Sequence, residues 1–335
     1  MWKKIFVYLL CFLVPIFSIC IGRYSIHFMN IYEDIVNLLQ GKILWSQASV
    51  DIKILFYRIP RIGMAMLVGA GLASSGMVYQ CLFRNPLVSP DILGISSGAC
   101  LGAAIAILCN VKNPWMLQLT SFSFGIFAVF LTYRLATYSQ GHSTILLVMA
   151  GIVISSLCNA LLSLLKYLAD PFQELPAIIF WIMGGFHQIG FQELFICTPT
   201  ILLGLLILYL FRHQLNLLSL GDKEAQSLGL NVRTFHLLFI CTGTCIVGAT
   251  ISMTGTIGWI GLVIPHITRL LFGTDHTTSL PMTMLLGGIF MVSIDTLTRT
   301  MSSQEIPIGI LTSLIGAPFF AYLLVLQPEK GWKQC

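Results

Sequence analysis

Long apolar runs separated by short polar segments dominate the pattern of this chain. A helix needs about 20 mostly apolar residues to cross a membrane, and ten segments come close to that length. They are residues 5–22, 62–83, 92–109, 115–134, 144–166, 192–211, 235–253, 256–272, 280–298 and 308–326. Residues 31–40 and 174–188 have the pattern of short helices lying at a membrane surface. The pattern predicts an all-α polytopic membrane protein with about ten transmembrane helices in one domain, 1–335.

Composition supports a chain surrounded by membrane lipids. Of the 335 residues, 56% are hydrophobic and 9% charged, whereas soluble domains carry about 25% charged residues. The net charge is +5, but no stretch concentrates lysine and arginine, so a nucleic-acid partner is not expected. The ten cysteines lie mostly in or beside apolar runs without a Cys-x-x-Cys pair. We therefore interpret them as packing residues and predict neither a metal site nor a cofactor.

The N-terminal segment is compatible with a signal peptide or with a first membrane helix. Lys3 and Lys4 precede an apolar stretch, and Cys20 resembles a lipoprotein cysteine. However, Ile19 stands where a small residue is expected, and many further spans follow. We interpret the segment as a retained helix with its N-terminus inside, which places the C-terminus inside as well. This topology puts ten basic residues inside and eight outside, a weak bias that leaves Arg58, Arg61 and Arg299 on the outer side.

The chemistry of the spans narrows the function classes. Ion-coupled secondary transporters place ionisable residues near the membrane midplane, and the predicted span centres offer few. The sequence contains no phosphate-binding Gly-x-x-x-x-Gly-Lys-Ser/Thr motif, so the energy source is expected in a separate subunit. Residues 94–98 fit the Gly-x-Ser-x-Gly pattern of hydrolases, but an apolar helix surrounds them, and we interpret them as a turn that begins a helix. His266 has no second ligand at helical spacing, which favours a structural role.

An ordered set of motifs carries the family resemblance. It comprises Arg-Ile-Pro-Arg at 58–61, Arg-Asn-Pro-Leu at 84–87, Trp-Ile-Met-Gly-Gly at 181–185, Leu-Gly-Leu at 228–230, Gly-Trp-Ile-Gly-Leu-Val-Ile-Pro-His at 258–266, Asp-His at 275–276, Glu-Ile-Pro-Ile-Gly at 305–309 and Gly-Ala-Pro-Phe at 316–319. In order and spacing, residues 55–326 resemble the FecCD family of ABC-importer permeases. The resemblance implies a type II ABC-importer fold of ten helices, working as a homodimer with two ATP-binding subunits and a substrate-binding protein. Hydrolysis of ATP would then belong to the partner, and this chain would not be an enzyme.

Family members import iron–siderophores, haem or cobalamin, and some relatives carry molybdate or tungstate, so the cargo stays open. A bacterial cytoplasmic membrane is the implied location. The resemblance also implies three groups of site residues. Docking of the binding protein is implied for Arg58, Arg61 and Arg299. Coupling to the ATPase, in the loop at 212–234, is implied for Asp222, Glu224, Ala225 and Gly229. Within this loop we expect Gly229 to end a short helix, because glycine tolerates the left-handed conformation. A cytoplasmic gate is implied for Asn85, Leu87, Ser143 and Thr144.

Other interpretations of these residues and of the whole chain remain open. The three arginines could anchor helix ends at the lipid headgroups, and the loop at 212–234 could be an ordinary solvated connection. Asn85 could simply help to end a helix. For the chain as a whole, the rival classes are an ion-coupled transporter, a membrane-embedded enzyme and a channel subunit. We also expect Asp295 to hold Arg299, because the two stand one helical turn apart.

Overall fold

A computed structural model describes residues 2–22, 24, 28–40, 47, 49–138, 144–302 and 304–326. Its described part contains fourteen α-helices and a short 3-10 helix at Pro90–Leu93. The α-helices are α1 (Trp2–Cys20), α2 (Phe28–Leu39), α3 (Val50–Leu82), α4 (Ile95–Leu108), α5 (Pro114–Tyr138), α6 (Thr144–Leu168), α7 (Glu174–Met183), α8 (Phe191–Leu210), α9 (Arg212–Leu220), α10 (Asp222–Ser227), α11 (Val232–Thr254), α12 (Ile260–Phe272), α13 (His276–Met301) and α14 (Ile308–Leu326).

The predicted all-α membrane fold is confirmed. Seven helices, α1, α3, α5, α6, α8, α11 and α13, are long and apolar enough to cross a membrane. Shorter apolar helices α4, α12 and α14 occupy the other three predicted spans, and α2 and α7 occupy the two predicted short segments. The chain is therefore a multi-pass membrane protein.

The start of the second span differs from the prediction. Helix α3 begins at Val50 rather than at 62, so Arg58 and Arg61 lie inside the helix and not before it. Hydropathy alone placed the boundary too late, because the first three turns of α3 contain Asp51, Lys53 and Arg58. These polar residues do not end the helix. Asp51, for example, is buried and accepts a hydrogen bond of 2.7 Å from Asn30 Nδ2.

Helix α3 forms the centre of the helix bundle. It packs against α8, α11, α12 and α13, and its small residues let neighbouring backbones touch, as expected for helices in lipid. A Cβ atom added to Gly69 would lie 2.1 Å from the carbonyl oxygen of Gly287, and one added to Gly76 would lie 2.0 Å from that of Gly261. These glycines therefore serve close packing of the helix backbones.

The boundary between α11 and α12 lies at a sharp turn. Gly255 has a φ of +68°, and a Cβ atom there would lie 2.2 Å from the carbonyl oxygen of Trp181. The amide of Gly185 donates a hydrogen bond of 2.8 Å to the carbonyl of Thr254, which ties the end of α7 to this turn. Helix α12 consequently begins at Ile260, four residues later than the predicted 256.

Candidate functional site

The two groups of candidate residues lie at opposite ends of α3. Arg61 belongs to its first half, and Arg84 follows its last residue, Leu82. The 21 helical steps from Arg61 to Leu82 span about 30 Å at 1.5 Å per residue, which is close to the thickness of a bilayer core. The residues predicted for docking and those beside the end of α3 are therefore separated by about one membrane thickness.

Arg61 is the centre of a buried ion-pair network. Its side chain is 1% exposed, and its Nε donates a hydrogen bond of 2.8 Å to Oδ1 of Asp295, which lies fully buried in α13. Its Nη1 donates to both carboxylate oxygens of Glu305 at 2.9 Å. The planar guanidinium suits this arrangement, because it presents several donors in fixed directions.

Arg299 completes the network one helical turn after Asp295. Its Nε donates a hydrogen bond of 3.0 Å to Oδ2 of Asp295, which confirms the predicted pairing of the two residues. Its Nη2 donates to Oγ of Ser18 on α1 at 2.7 Å. Asp295 thus holds an arginine on each carboxylate oxygen and links α1, α3 and α13.

Arg58 is bound differently, by backbone carbonyls. Its Nη1 donates a hydrogen bond of 2.6 Å to the carbonyl of Ile19, and its Nη2 donates one of 3.0 Å to the carbonyl of Tyr24. A Cβ atom on Gly22 would lie 2.0 Å from Nη2, so a larger residue there would displace the guanidinium of Arg58 from this position. Together with Asp295 and Glu305, the three arginines carry three positive and two negative formal charges, an excess of one positive charge.

The three arginines that the family resemblance implies for docking do not stand free on the surface. Arg58, Arg61 and Arg299 are 5%, 1% and 7% exposed, because helices α1, α3 and α13 surround them. Glu305, at 39% side-chain exposure, is the member of the network that reaches the surface. Sequence reasoning quoted Glu305 only as part of a motif and missed its pairing with Arg61, which lies 244 residues away. The docking roles stay a prediction.

A cavity of about 350 Å³ opens beside this network. Its walls include Arg61 and Glu305, together with His187 and Gln304. His187 lies in the segment between α7 and α8, where burial lowers the pKa of its imidazole. The nearby charge of Glu305 opposes this shift, and that of Arg61 adds to it. The ring is therefore neutral near pH 7, and the cavity presents neutral and acidic groups around one arginine.

At the other end of α3, the predicted coupling segment folds as a compact helical knob. Helix α9 ends at Leu220, and Gly221, which has a φ of +128°, connects it directly to α10. After α10, the amide of Leu230 donates to the carbonyl of Ala225, and that of Gly229 donates to the carbonyl of Gln226. These two bonds form a Schellman motif, in which Gly229 adopts the left-handed conformation with a φ of +85°.

The other coupling residues occupy defined places in this knob. Ala225 is the fully buried residue of α10, and Asp222 and Glu224 lie in the first turn of this helix. The predicted ending of a short helix by Gly229 is confirmed. Contact of the knob with an ATPase stays a prediction.

The gate residues are only partly described. The amide of Asn85 donates to the carbonyl of Gln80 at 3.1 Å, and its side-chain oxygen accepts a bond of 2.9 Å from the amide of Leu87. Asn85 therefore ends α3 and shapes the following turn, while Leu87 is half exposed. Thr144 begins α6, but its side chain is not described, and Ser143 lies outside the described residues. Their gate roles stay predictions.

Two other candidate features have structural explanations. Gly94 has a φ of +84° and stands directly before α4, and Ser96 donates a hydrogen bond to Asp91 of the 3-10 helix. The interpretation of residues 94–98 as a turn that begins a helix is confirmed. His266 is buried within α12. Among the described residues, no group of three or more His, Cys, Asp or Glu side chains is arranged to hold a metal ion.

Comparison with known proteins identifies the class to which this fold belongs. A solved structure, described as an inward-facing conformation of a putative metal-chelate type ABC transporter, superimposes with a TM-score of 0.84 at 37% identity, covering 97% of this chain and 99% of that one. The helices and their order thus define an ABC-transporter permease. The model of the FecCD transport family matches residues 9–326. The chain belongs to the FecCD family.

Relatives with different named substrates are similarly close. The molybdate import system permease protein MolB of Haemophilus influenzae is 39% identical over 330 residues, covering 96% of this chain and 95% of the relative. The hemin transport system permease protein HmuU of Yersinia pestis is 39% identical over 304 residues, covering 87% and 90%. A probable iron chelatin transport system permease protein of Helicobacter pylori is 36% identical over 326 residues, covering 97% and 98%.

Proposed function

We propose that this permease carries a metal chelate, such as an iron–siderophore, haem or cobalamin, into the cytoplasm at the expense of ATP hydrolysed by a partner. The observation that carries the proposal is the match of the FecCD transport family to residues 9–326, together with relatives named for iron chelatin and hemin transport over most of the chain. Molybdate is the second candidate cargo, because MolB is 39% identical over 96% of the chain.

Sequence identity does not separate the two candidate cargoes, since MolB and HmuU are both 39% identical. The experiment that separates them uses the binding protein encoded with this permease. Its ligand after purification identifies the cargo, and uptake is then measured with labelled ferric chelate and with labelled molybdate. Uptake of the chelate that excess molybdate does not inhibit supports the first candidate. Molybdate uptake that excess chelate does not inhibit supports the second.

We further propose a homodimer with two ATP-binding subunits and one substrate-binding protein. Helices α6 and α8 leave room for a partner in the membrane, because only 28% and 22% of the residues in their most apolar segments are buried. The corresponding values are 11% for α1, 28% for α5 and 78% for the central helix α3. Such apolar faces suit lipid or a second copy of the chain. Both termini are assigned to the cytoplasm, which puts α10 on the cytoplasmic side with the ATPase and the Arg61 network on the outer side.

Docking of the binding protein is assigned to the outer network. The excess positive charge among its five charged groups favours an acidic partner, and the cavity beside Glu305 gives a carboxylate an approach to Arg61. Such a contact weakens as salt screens the charges. Because Arg61 is part of a buried pair, the informative variant is Arg58→Gln, which removes a charge held only by backbone carbonyls among its described contacts.

The docking test measures the affinity of the purified binding protein for permease in nanodiscs at two salt concentrations. Wild-type permease should bind more weakly at high salt, and Arg58→Gln should bind several-fold more weakly than wild type at low salt. Lys112→Gln, a change of the same kind between α4 and α5, serves as the control. Equal, salt-independent affinity for all three proteins would leave the arginines with a purely structural role.

A further inference from the structure

The end of α3 carries an arginine where a glycine is the usual residue. The amide of Arg84 donates to the carbonyl of Cys81, and that of Asn85 donates to the carbonyl of Gln80, which together form a second Schellman motif. Arg84 holds its left-handed position with a φ of +47°. This conformation is unfavourable for a residue with a Cβ atom, so the backbone alone does not explain an arginine here.

The side chain of Arg84 reaches the beginning of α10. Its Nη2 lies 3.4 Å from Oδ1 of Asp222, and a Cβ atom on Gly221 would lie 3.5 Å from its Nη1. His236 of α11 approaches the same Oδ1 with its Nε2 at 3.7 Å. One carboxylate of α10 therefore faces a cation from the end of α3 and an imidazole from α11.

This cluster brings together two candidate sites that are far apart in sequence. Arg84 is adjacent to Asn85 of the candidate gate, and Asp222 belongs to the candidate coupling segment 138 residues later. Below them, a cavity of about 360 Å³ extends between α10 and the membrane helices, with Phe83, Asp222 and His236 in its wall. The knob therefore has space into which it can move relative to α3 and α11.

We infer that Arg84 is a positioning residue that links movement of α10 to movement of the segment 84–87 through Asp222. The inference rests on the proposed contact between α10 and the ATPase. Arg84 and Asp222 are 43% and 39% exposed, and exposed ion pairs contribute little to stability. A pair of this kind breaks and forms again readily, which suits a contact that must move in every transport cycle.

The key variant is Arg84→Gly, because it preserves the left-handed turn and removes the side chain that reaches Asp222. Permease, ATPase and binding protein are assembled in proteoliposomes, and the number of ATP molecules hydrolysed per substrate imported is measured. We expect Arg84→Gly to fold and bind the ATPase as wild type does, with ATP consumption per imported substrate raised at least threefold. Arg84→Lys, which keeps the charge, should recover part of the coupling.

Arg134→Gln and Arg84→Gln form the matched comparison, since both remove an arginine charge near the proposed cytoplasmic face. Arg134 is an exposed residue near the end of α5 for which the described part of the chain shows no ion pair. Arg84→Gln should lose coupling and Arg134→Gln should not. The inference is overturned if Arg84→Gly imports with the wild-type ratio, or if Arg134→Gln uncouples equally.

The same assay separates this inference from the proposed function on which it rests. Gly229→Pro disrupts the knob itself. If Gly229→Pro leaves ATPase stimulation by the loaded binding protein unchanged, the assignment of α10 as the coupling element fails. If Gly229→Pro abolishes stimulation while Arg84→Gly keeps the wild-type ratio, α10 still couples and only the link through Arg84 is wrong.

Discussion

Arg61 on α3 and Asp295 on α13 are 234 residues apart in sequence and joined by a hydrogen bond of 2.8 Å in the buried interior. Both side chains are at most 1% exposed. Asp295 also binds Arg299, so one carboxylate neutralises charge from two helices. This relationship explains how α13, which contains Asp295, and α3, which contains Arg61, can pack against each other in a membrane protein.

Removing one partner of this pair should destabilise the protein. Arg61→Met leaves Glu305 without its guanidinium and weakens the compensation of Asp295, and breaking a buried ion pair costs about 3 kcal/mol or more. Thermal unfolding in detergent should show a clear loss of stability for Arg61→Met and for Asp295→Leu. The stability lost by the double variant Arg61→Met/Asp295→Leu should be smaller than the sum of the losses of the two single variants. Strictly additive losses would contradict direct pairing.

Close contact between α3 and α13 gives a second stability prediction. Gly69→Ala places a Cβ atom 2.1 Å from the carbonyl oxygen of Gly287, so the helices must separate, at a cost of about 1–3 kcal/mol for overpacking. Gly258→Ala is the matched control, because a Cβ atom there meets nothing within 4 Å. Unfolding midpoints of the two variants should differ clearly. Equal midpoints would mean that the helices are not in backbone contact.

The Schellman motif after α10 predicts how Gly229 tolerates substitution. Proline cannot adopt its φ of +85° and cannot donate the amide bond to Gln226, so Gly229→Pro should abolish stimulation of the ATPase by the loaded binding protein. Asparagine accepts the left-handed conformation, so Gly229→Asn should retain most of the ATPase stimulation. The assay is ATP hydrolysis by the assembled transporter. Similar rates of stimulated ATP hydrolysis for both variants would show that coupling does not need the left-handed turn.

The sequence predicted the membrane helices better than the environment of their polar residues. All ten predicted spans contain helices, because long apolar runs leave few alternatives. The predicted start of α3 was wrong because hydropathy treats every arginine as a surface residue. It takes no account of the buried partners that Arg58 and Arg61 have in the folded protein. Those partners lie on other elements, and a single sequence does not reveal which distant carboxylate pairs with which arginine. Gly229 was predicted correctly because a left-handed helix end is a local property.

The same distinction holds for the coupling and gate segments. The local motifs at 84–87 and 221–229 identified two candidate sites, but nothing in their spacing indicated that Arg84 approaches Asp222. That contact depends on how α9 and α10 fold back against the end of α3. Long-range packing therefore supplied the relationship between the two sites, whereas local sequence supplied their residues.

The most direct test of the proposed function measures uptake into proteoliposomes that contain the permease, its ATP-binding subunit and the binding protein. ATP is enclosed with the subunits, labelled chelate is supplied outside, and ionophores collapse the membrane potential and the proton gradient. The account predicts chelate accumulation that continues with the ionophores and stops when ATP is replaced by a non-hydrolysable analogue. Uptake that persists without hydrolysable ATP and stops with the ionophores would contradict it.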